Sequence, residues 1–231
     1  MNKYVCFLFS LATLICPSVN ASDILLNEAL SNMGAFDAQK WAYVLRTTGD
    51  EARVERHDPV SEYPWTLVSL EGKRPSARQI ERYQDEKAAE LVEFQKSSPD
   101  EEVYRLDVKQ MIDLPSVTRI HDSKAHTVYE FTPIVEGAGE AMSKVLKGKL
   151  SINKNRRFVE IFEFENTESF SPMIAVEVSS MHTKIVFSEI SEGVFAPYSI
   201  SSRMEAVAMK FKKIRQLDQT NFEYLGLLDS D

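Results

Sequence analysis

Only two cysteines occur in the chain, Cys6 and Cys16, both within its first sixteen residues. The remainder can therefore build neither a disulfide framework nor a thiol nucleophile. Glycine is scarce as well, eight in 231 residues, and no Gly-rich loop followed by Lys is present to cradle a phosphate. The Gly-x-Ser-x-Gly elbow and the His-Glu-x-x-His pair are also missing. On these grounds the chain is read as not an enzyme, with no cofactor and no metal site assigned. Basic residues are in deficit, 27 Lys plus Arg against 35 Asp plus Glu, which excludes nucleic acid as an expected partner because a phosphate backbone needs a basic face. Apart from the N-terminus there is no long apolar stretch, and a bilayer-crossing helix needs about 20 such residues, so the protein is expected not to span a membrane. No Gly/Ser tract, Pro-rich run or internal repeat interrupts the chain, and a single domain is expected over 22–231.

The N-terminus has its own logic. Met1-Asn2-Lys3 gives a short positive start, Tyr4 to Cys16 an apolar run, and Val19-Asn20-Ala21 before Ser22 a small-residue cleavage site. Residues 1–21 read as a secretory signal peptide that is removed. Lys3 leaves with it, so 26 basic residues remain against 35 acidic ones and the formal charge becomes −9. A lipoprotein signal with Cys16 lipidated is the alternative, but Ile15 stands where such signals carry a small residue. From Ser22 onward no Asn-x-Ser/Thr sequon occurs, which favours a periplasmic protein of a Gram-negative bacterium over a eukaryotic secreted one.

Along the mature chain, Asp23 to Met33 has apolar residues at helical spacing and Gly34 stops it. Gln39 to Thr47 and Glu51 to His57 alternate as a hairpin, and Trp65 to Leu70 adds a strand. Ser76 and Gln79 form a capping box that opens a charged helix of about 20 residues. Val103 to Ile112 is expected to be a short helix. Ser116 to His121 and Thr127 to Thr132 read as strands, and Glu140 to Leu146 as a helix ended by Gly148. A meander follows: Lys149 to Asn153, Arg157 to Glu165, Met173 to Ser179, Met181 to Ile190, Met204 to Arg215 and Phe222 to Leu225. Its turns are expected at Ser171-Pro172, Glu192-Gly193 and Ala196-Pro197.

This order, with the segments Gly148 to Lys154, Phe158 to Ile161, Phe170-Ser171-Pro172, Thr183 to Phe187 and Ala196-Pro197, resembles the LolA-like lipoprotein-localisation carrier superfamily over about Gln39 to Leu225. The resemblance implies an α+β fold: a curved, incompletely closed antiparallel β-sheet, a half-barrel, with helices packed over the concave face. It also implies a periplasmic, non-catalytic binding protein whose cavity holds the acyl chains of a lipid or lipidated protein. It supplies no functional residue.

Residue types suggest which side chains would line such a cavity. The candidates are Trp41, Tyr43, Trp65, Tyr129, Phe131, Phe158, Phe162, Met173, Phe187 and Met209, with Met181 and Met204 beside them. Methionine adapts its shape cheaply, and each methylene buried contributes about 0.8 kcal/mol, so no charged contact is needed to hold an acyl chain. The same residues at strand spacing also describe an ordinary core, and the matching alternative is an envelope interaction or structural module with no small ligand and a protein partner.

The titratable clusters each have a turn or surface account beside their chemistry. His121, Asp122 and His126 offer a set that Zn or Cu would accept, but a polar hairpin tip accounts for them, and that reading is adopted. His57 and Asp58 are adjacent on an extended chain and point to opposite sides, so they form no orienting pair. Glu160, Glu163 and Glu165 alternate as exposed sheet positions do. The basic groups Lys144, Lys147, Lys149, Lys154, Arg156, Arg157 and, later, Lys210, Lys212, Lys213 and Arg215 suit sheet edges better than an anionic partner. Asp100-Glu101-Glu102 reads as a solvated helix start.

Overall fold

The fold was analysed in a computed structural model that describes residues 23–50, 52–97, 105–135, 139–209 and 211–227. The expected signal peptide with Cys6 and Cys16, the Asp100-Glu101-Glu102 stretch and Lys210 lie outside the described residues.

Helix α1 (Ile24–Met33) starts at Asp23, whose carboxylate accepts the Leu26 N–H, and stops at Gly34 in a left-handed conformation, φ 55°. Its buried stripe is Leu26, Ala29, Leu30 and Met33. Then come β1 (Ala35–Asp37), β2 (Trp41–Gly49), β3 (Arg53–His57), β4 (Trp65–Leu70) and the charged helix α2 (Ala77–Ser97). The Ser76–Gln79 capping box forms as the sequence suggests, with Gln79 Oε1 accepting from the Ser76 N–H at 2.9 Å. Beyond α2 lie β5 (Arg105–Asp107), β6 (Ile112–Asp122), β7 (His126–Pro133), the single-turn α3 (Glu140–Ser143), β8 (Leu146–Asn153), β9 (Phe158–Asn166), β10 (Phe170–Met173), β11 (Val176–Ser191), β12 (Val194–Ala208) and β13 (Lys212–Leu227).

Among the described residues, eleven of these strands form one antiparallel sheet, in the order β4-β3-β2-β13-β12-β11-β9-β8-β7-β6, with β10 beside the start of β11; β1 and β5 pair separately. The sheet is curved and does not close into a barrel: β4 and β6 remain its edges. Bulges in the β3/β4, β6/β7, β8/β9 and β11/β12 ladders bend it.

Several expectations are corrected. Among the described residues of the expected helix over Val103 to Ile112, 105–107 is strand β5, followed by a turn that ends at β6. Helix α3 stops at Ser143, and Gly148 lies inside β8, where the absent Cβ makes room for the Phe131 ring. Met173 closes β10, 174 and 175 make the turn, and Val176 to Ser179 with Met181 to Ile190 belong to one long strand, β11, bulged between Val178 and Ser180. Met204 to Arg215 is not one strand: 204–208 end β12 and 212–215 begin β13, with Met209 and Phe211 in the turn between them. Ala196-Pro197 lies within β12 and Ser171-Pro172 within β10. Both prolines occur where a strand has a ladder partner on one side only, which is where proline is tolerated.

The core has three parts. The largest packs α1 on one sheet face through Tyr129, Phe131, Leu150, Ile152, Phe158, Val159, Phe162, Ile185, Phe187 and Phe195. The second gathers Phe36, Trp41, Tyr43 and Ala196 with Trp65, Ile190, Phe222 and Tyr224 at its margin. The third is a small cluster of Phe170, Val178 and Ala206, flanked by Met142, Val145, Met181, Met204 and Ile214. The end of the β11–β12 hairpin stands between the first two parts: Phe187 and Phe195 face the first, Ile190, Val194 and Ala196 the second.

Candidate functional site

The sheet splits where β12 and β13 part. β12 pairs with β13 only as far as Ser199 opposite Asn221. Beyond that point β13 continues along β2, Phe222 to Leu227 opposite Leu45 to Trp41, while the remaining residues of β12 stay with β11 alone. A bulge starts the divergence: Ser199 faces Val186 and Pro197 faces Phe187, leaving Tyr198 without a ladder partner. Such an extra residue bends its strand.

The gap is a cleft of about 460 Å³ lined by Arg46, Ser188, Ile190, Tyr198, Asn221, Phe222, Glu223 and Tyr224. Its apolar wall is Ile190 with Phe222 and Tyr224, whose rings stack at 6.1 Å and 12°. Those two residues alternate with Asn221 and Glu223 along β13, so the rings share one face. Tyr198 is more than half exposed at the mouth, and Arg46 pairs with Glu223 at 3.1 Å on the rim. Tyr224 donates its hydroxyl to the Pro197 carbonyl at 3.0 Å, which ties the two walls together. Burial, with Tyr43 close by, pushes the Tyr224 phenol far up, so it is a neutral donor at any ordinary pH. The cleft thus offers aromatic surface, a polar rim and one fixed hydroxyl. A smaller hollow of about 250 Å³ sets Lys149, Lys184 and Glu163 beside Val128, Leu150 and Ile161, a mixed lining.

The candidate cavity residues are distributed among different places. Tyr129, Phe131, Phe158, Phe162 and Phe187 are all in the largest core, at most 3% exposed, with α1 packed against them. Their interior is occupied by protein side chains. Trp41, Tyr43 and Trp65 belong to the second cluster, which forms the floor behind Phe222 and Tyr224. Met173, the last residue of β10, and Met209, in the turn after β12, are 64% and 65% exposed, at the opposite end of β11 and β12. Met181 and Met204 pack on the third cluster. Ile190, Tyr198, Phe222 and Tyr224 were not singled out from the sequence; the alternation of Phe222 and Tyr224 was legible, but the end of a ladder was not.

The titratable groups are engaged elsewhere. His126 pairs with Glu160, and Asp122 accepts from Thr127 and Lys154. Glu163 faces His182 at 3.7 Å and Glu165 faces Lys149 at 3.9 Å. His57 is buried between Tyr43 and Trp65, its Nδ1 2.9 Å from the Trp41 carbonyl, while Asp58 meets Arg56. Among the described residues no group of three His, Cys, Asp or Glu is placed to hold a metal ion. One buried network escaped the sequence reading: Glu55, 2% exposed, accepts from Arg53 and from the Tyr83 hydroxyl, each at 2.9 Å, with Lys87 at 3.7 Å. It fastens α2 to β3, and Lys87 also sits over the Trp65 ring.

No family model, curated protein or solved structure matches the chain. The geometry of the cleft is therefore the basis for a functional reading.

Proposed function

We propose that the protein binds an acyl chain of a lipid or lipidated protein, without catalysis, in the cleft between β12 and β13. The observation that carries this is the split sheet itself: about 460 Å³ walled by Ile190, Phe222 and Tyr224, a size within the usual range for small-molecule sites. The reading keeps the LolA-like expectation of a periplasmic half-barrel carrier with helices over its concave face, and moves the cargo from beneath α1 to the gap at the strand ends. Palmitate illustrates the energy. Its fourteen or so methylenes contribute ~11 kcal/mol on burial, and lost translational freedom removes ~4 kcal/mol or more, leaving a Kd in the range of ~10 μM. The filled interior beneath α1 supports the second reading, an envelope interaction module with no small ligand.

The two are separated by native mass spectrometry and lipid extraction on detergent-free protein purified from a bacterial periplasm, followed by titration with a fluorescent fatty acid. Acyl binding that weakens at least tenfold in Ile190→Asp or Tyr198→Asp supports the carrier. A clean apo mass with no uptake of fatty acid or lipopeptide overturns it.

A further inference from the structure

The opposite end of the β11–β12 pair carries apolar side chains that the fold does not use. The end of β10 and the turn after it present Met173 and Ile174, and the β12–β13 turn presents Met209 and Phe211. Ile174 is 99% exposed and Phe211 80%. None of the four belongs to an apolar cluster of the described residues, although the third cluster lies directly behind them. The two turns are fastened together, since the Met209 N–H donates to the Ala175 carbonyl at 2.7 Å. Both of these residues hold left-handed backbone without being glycine, Ala175 at φ 68° and Met209 at φ 52°, a strained state that persists where the surroundings enforce it.

Immediately behind the apex come Lys212 and Lys213, both exposed, at the start of β13. Lys212 stands opposite Ala208 and Lys213 opposite Val207, and neighbours along a strand point to opposite faces. Ammonium groups therefore flank the apex on both sides of the sheet, in a chain whose net charge is −8. Glu177, opposite Val207 on the other side, is the acidic group nearest the apex along the ladder.

We propose that this apex is a membrane-docking tip, in which Met173, Ile174, Met209 and Phe211 enter the acyl boundary of an anionic bilayer while Lys212 and Lys213 meet its headgroups. The geometry selects a bilayer over another protein. Two adjoining turns make a small convex apex, well short of the 20 to 30 residues per side of a stable protein interface. Lysines on both faces form a collar, which a surface of headgroups contacts all round and a single protein face does not. Apolar insertion and attraction to anionic lipid are the two components of interfacial binding, and each lysine near such a surface is worth about fivefold in affinity.

The test is flotation of the processed protein with vesicles of phosphatidylcholine alone or with about one third phosphatidylglycerol, at roughly physiological salt. Wild type is expected to prefer the anionic vesicles at least tenfold. The double variant Ile174→Asp/Phe211→Asp should lose at least tenfold on them, and Lys212→Gln/Lys213→Gln about 25-fold, with weak partition into neutral vesicles unchanged. Thermal unfolding checks that the variants fold, and Ile174→Ser supplies a milder change if the double variant does not. Absence of an anionic preference, tip variants that bind like wild type, or a tip-dependent dimer in sedimentation equilibrium would each overturn the proposal. Fatty-acid titration of the same variants keeps this result distinct from the cleft reading, since the tip substitutions leave the cleft intact.

Discussion

Asp23 is the first described residue, and it anchors α1 to the sheet. One carboxylate oxygen caps the helix through the Leu26 N–H at 3.4 Å, and the other accepts the Tyr129 hydroxyl at 2.6 Å and the Arg119 guanidinium. Removing it by Asp23→Ala loses an N-cap, ~1 kcal/mol, and a charged hydrogen bond from a tyrosine that is 1% exposed, ~1.5 kcal/mol. The half-exposed Arg119 adds about 0.5 kcal/mol. The total of ~3 kcal/mol corresponds to a fall of about 1 M in the urea midpoint for an m-value near 3 kcal/mol/M. Burial alone would push the carboxyl up, but the hydrogen bonds from Tyr129, Arg119 and Leu26 outweigh it and hold it below the usual carboxylate range. A carboxyl lowered in the folded state stabilises fully above its unfolded value near 4, and that stabilisation fades as pH falls through the lower folded value. The gap between wild type and Asp23→Ala should therefore be full at pH 7 and visibly smaller at pH 3. Asp23→Asn, which still caps and still accepts from Tyr129, should cost only ~1 kcal/mol at pH 7. Urea unfolding followed by circular dichroism at both pH values is the assay. An Asp23→Ala midpoint equal to wild type, or a gap that does not narrow in acid, would refute the reasoning.

Two further substitutions probe the core. In Gly148→Ala the new Cβ would lie 2.4 Å from the ring of Phe131, itself buried against Phe162 at 5.1 Å, so overpacking should cost ~2 kcal/mol in urea unfolding; a change below about 0.5 kcal/mol would show that β8 yields without strain. Burial pushes the His57 pKa down against the upward pulls of the Trp41 carbonyl and Asp58, so the unfolded chain takes up its proton first and stability drops as pH falls below about 6.5. A pH series of urea midpoints should decline from pH 7 to 5 in wild type and be flatter in His57→Phe; parallel curves would count against a neutral buried imidazole.

Alternation and turn chemistry made much of the sheet legible. The hairpin of β2 and β3, the strands β4 and β7, and helices α1 and α2 all carry a local period that survives folding, because one face of each is more deeply buried than the other. Misreadings arose where the local signal and the long-range pairing disagree. Gly148 carries the chemistry of a helix stop, yet its position is decided by Phe131 on the next strand. The β12–β13 turn has no glycine or proline at 209–211 and is made by Met209 in a left-handed conformation, so Met204 to Arg215 looked unbroken. The candidate site suffered similarly. Aromatic residues at strand spacing suit a cavity lining and a core alike, and whether an interior is filled depends on α1, whose Leu26, Ala29 and Leu30 occupy it. The cleft exists because one ladder ends at Ser199 and Asn221, a fact held jointly by two strands and written in neither.

Both proposed surfaces have one structural origin. β11 and β12 pair from Val176 opposite Ala208 to Ser191 opposite Val194, a ladder that at about 3.3 Å per residue runs ~50 Å along the strand. β9 and β13 cover only part of that length, opposite His182 to Val186 and Ser199 to Ala208. Where β13 diverges from β12, the chain exposes the aromatic walls of the cleft; where β11 and β12 leave their core behind, it exposes the tip. A strand pair that its neighbours cover over only part of its length must either shed its apolar residues or display them, and here they are displayed near both ends. Docking at one end consequently leaves the other end's surface open. Under the two proposals above, a carrier that touches a bilayer while its cargo site stays open to water needs that separation, and the length of the ladder supplies it.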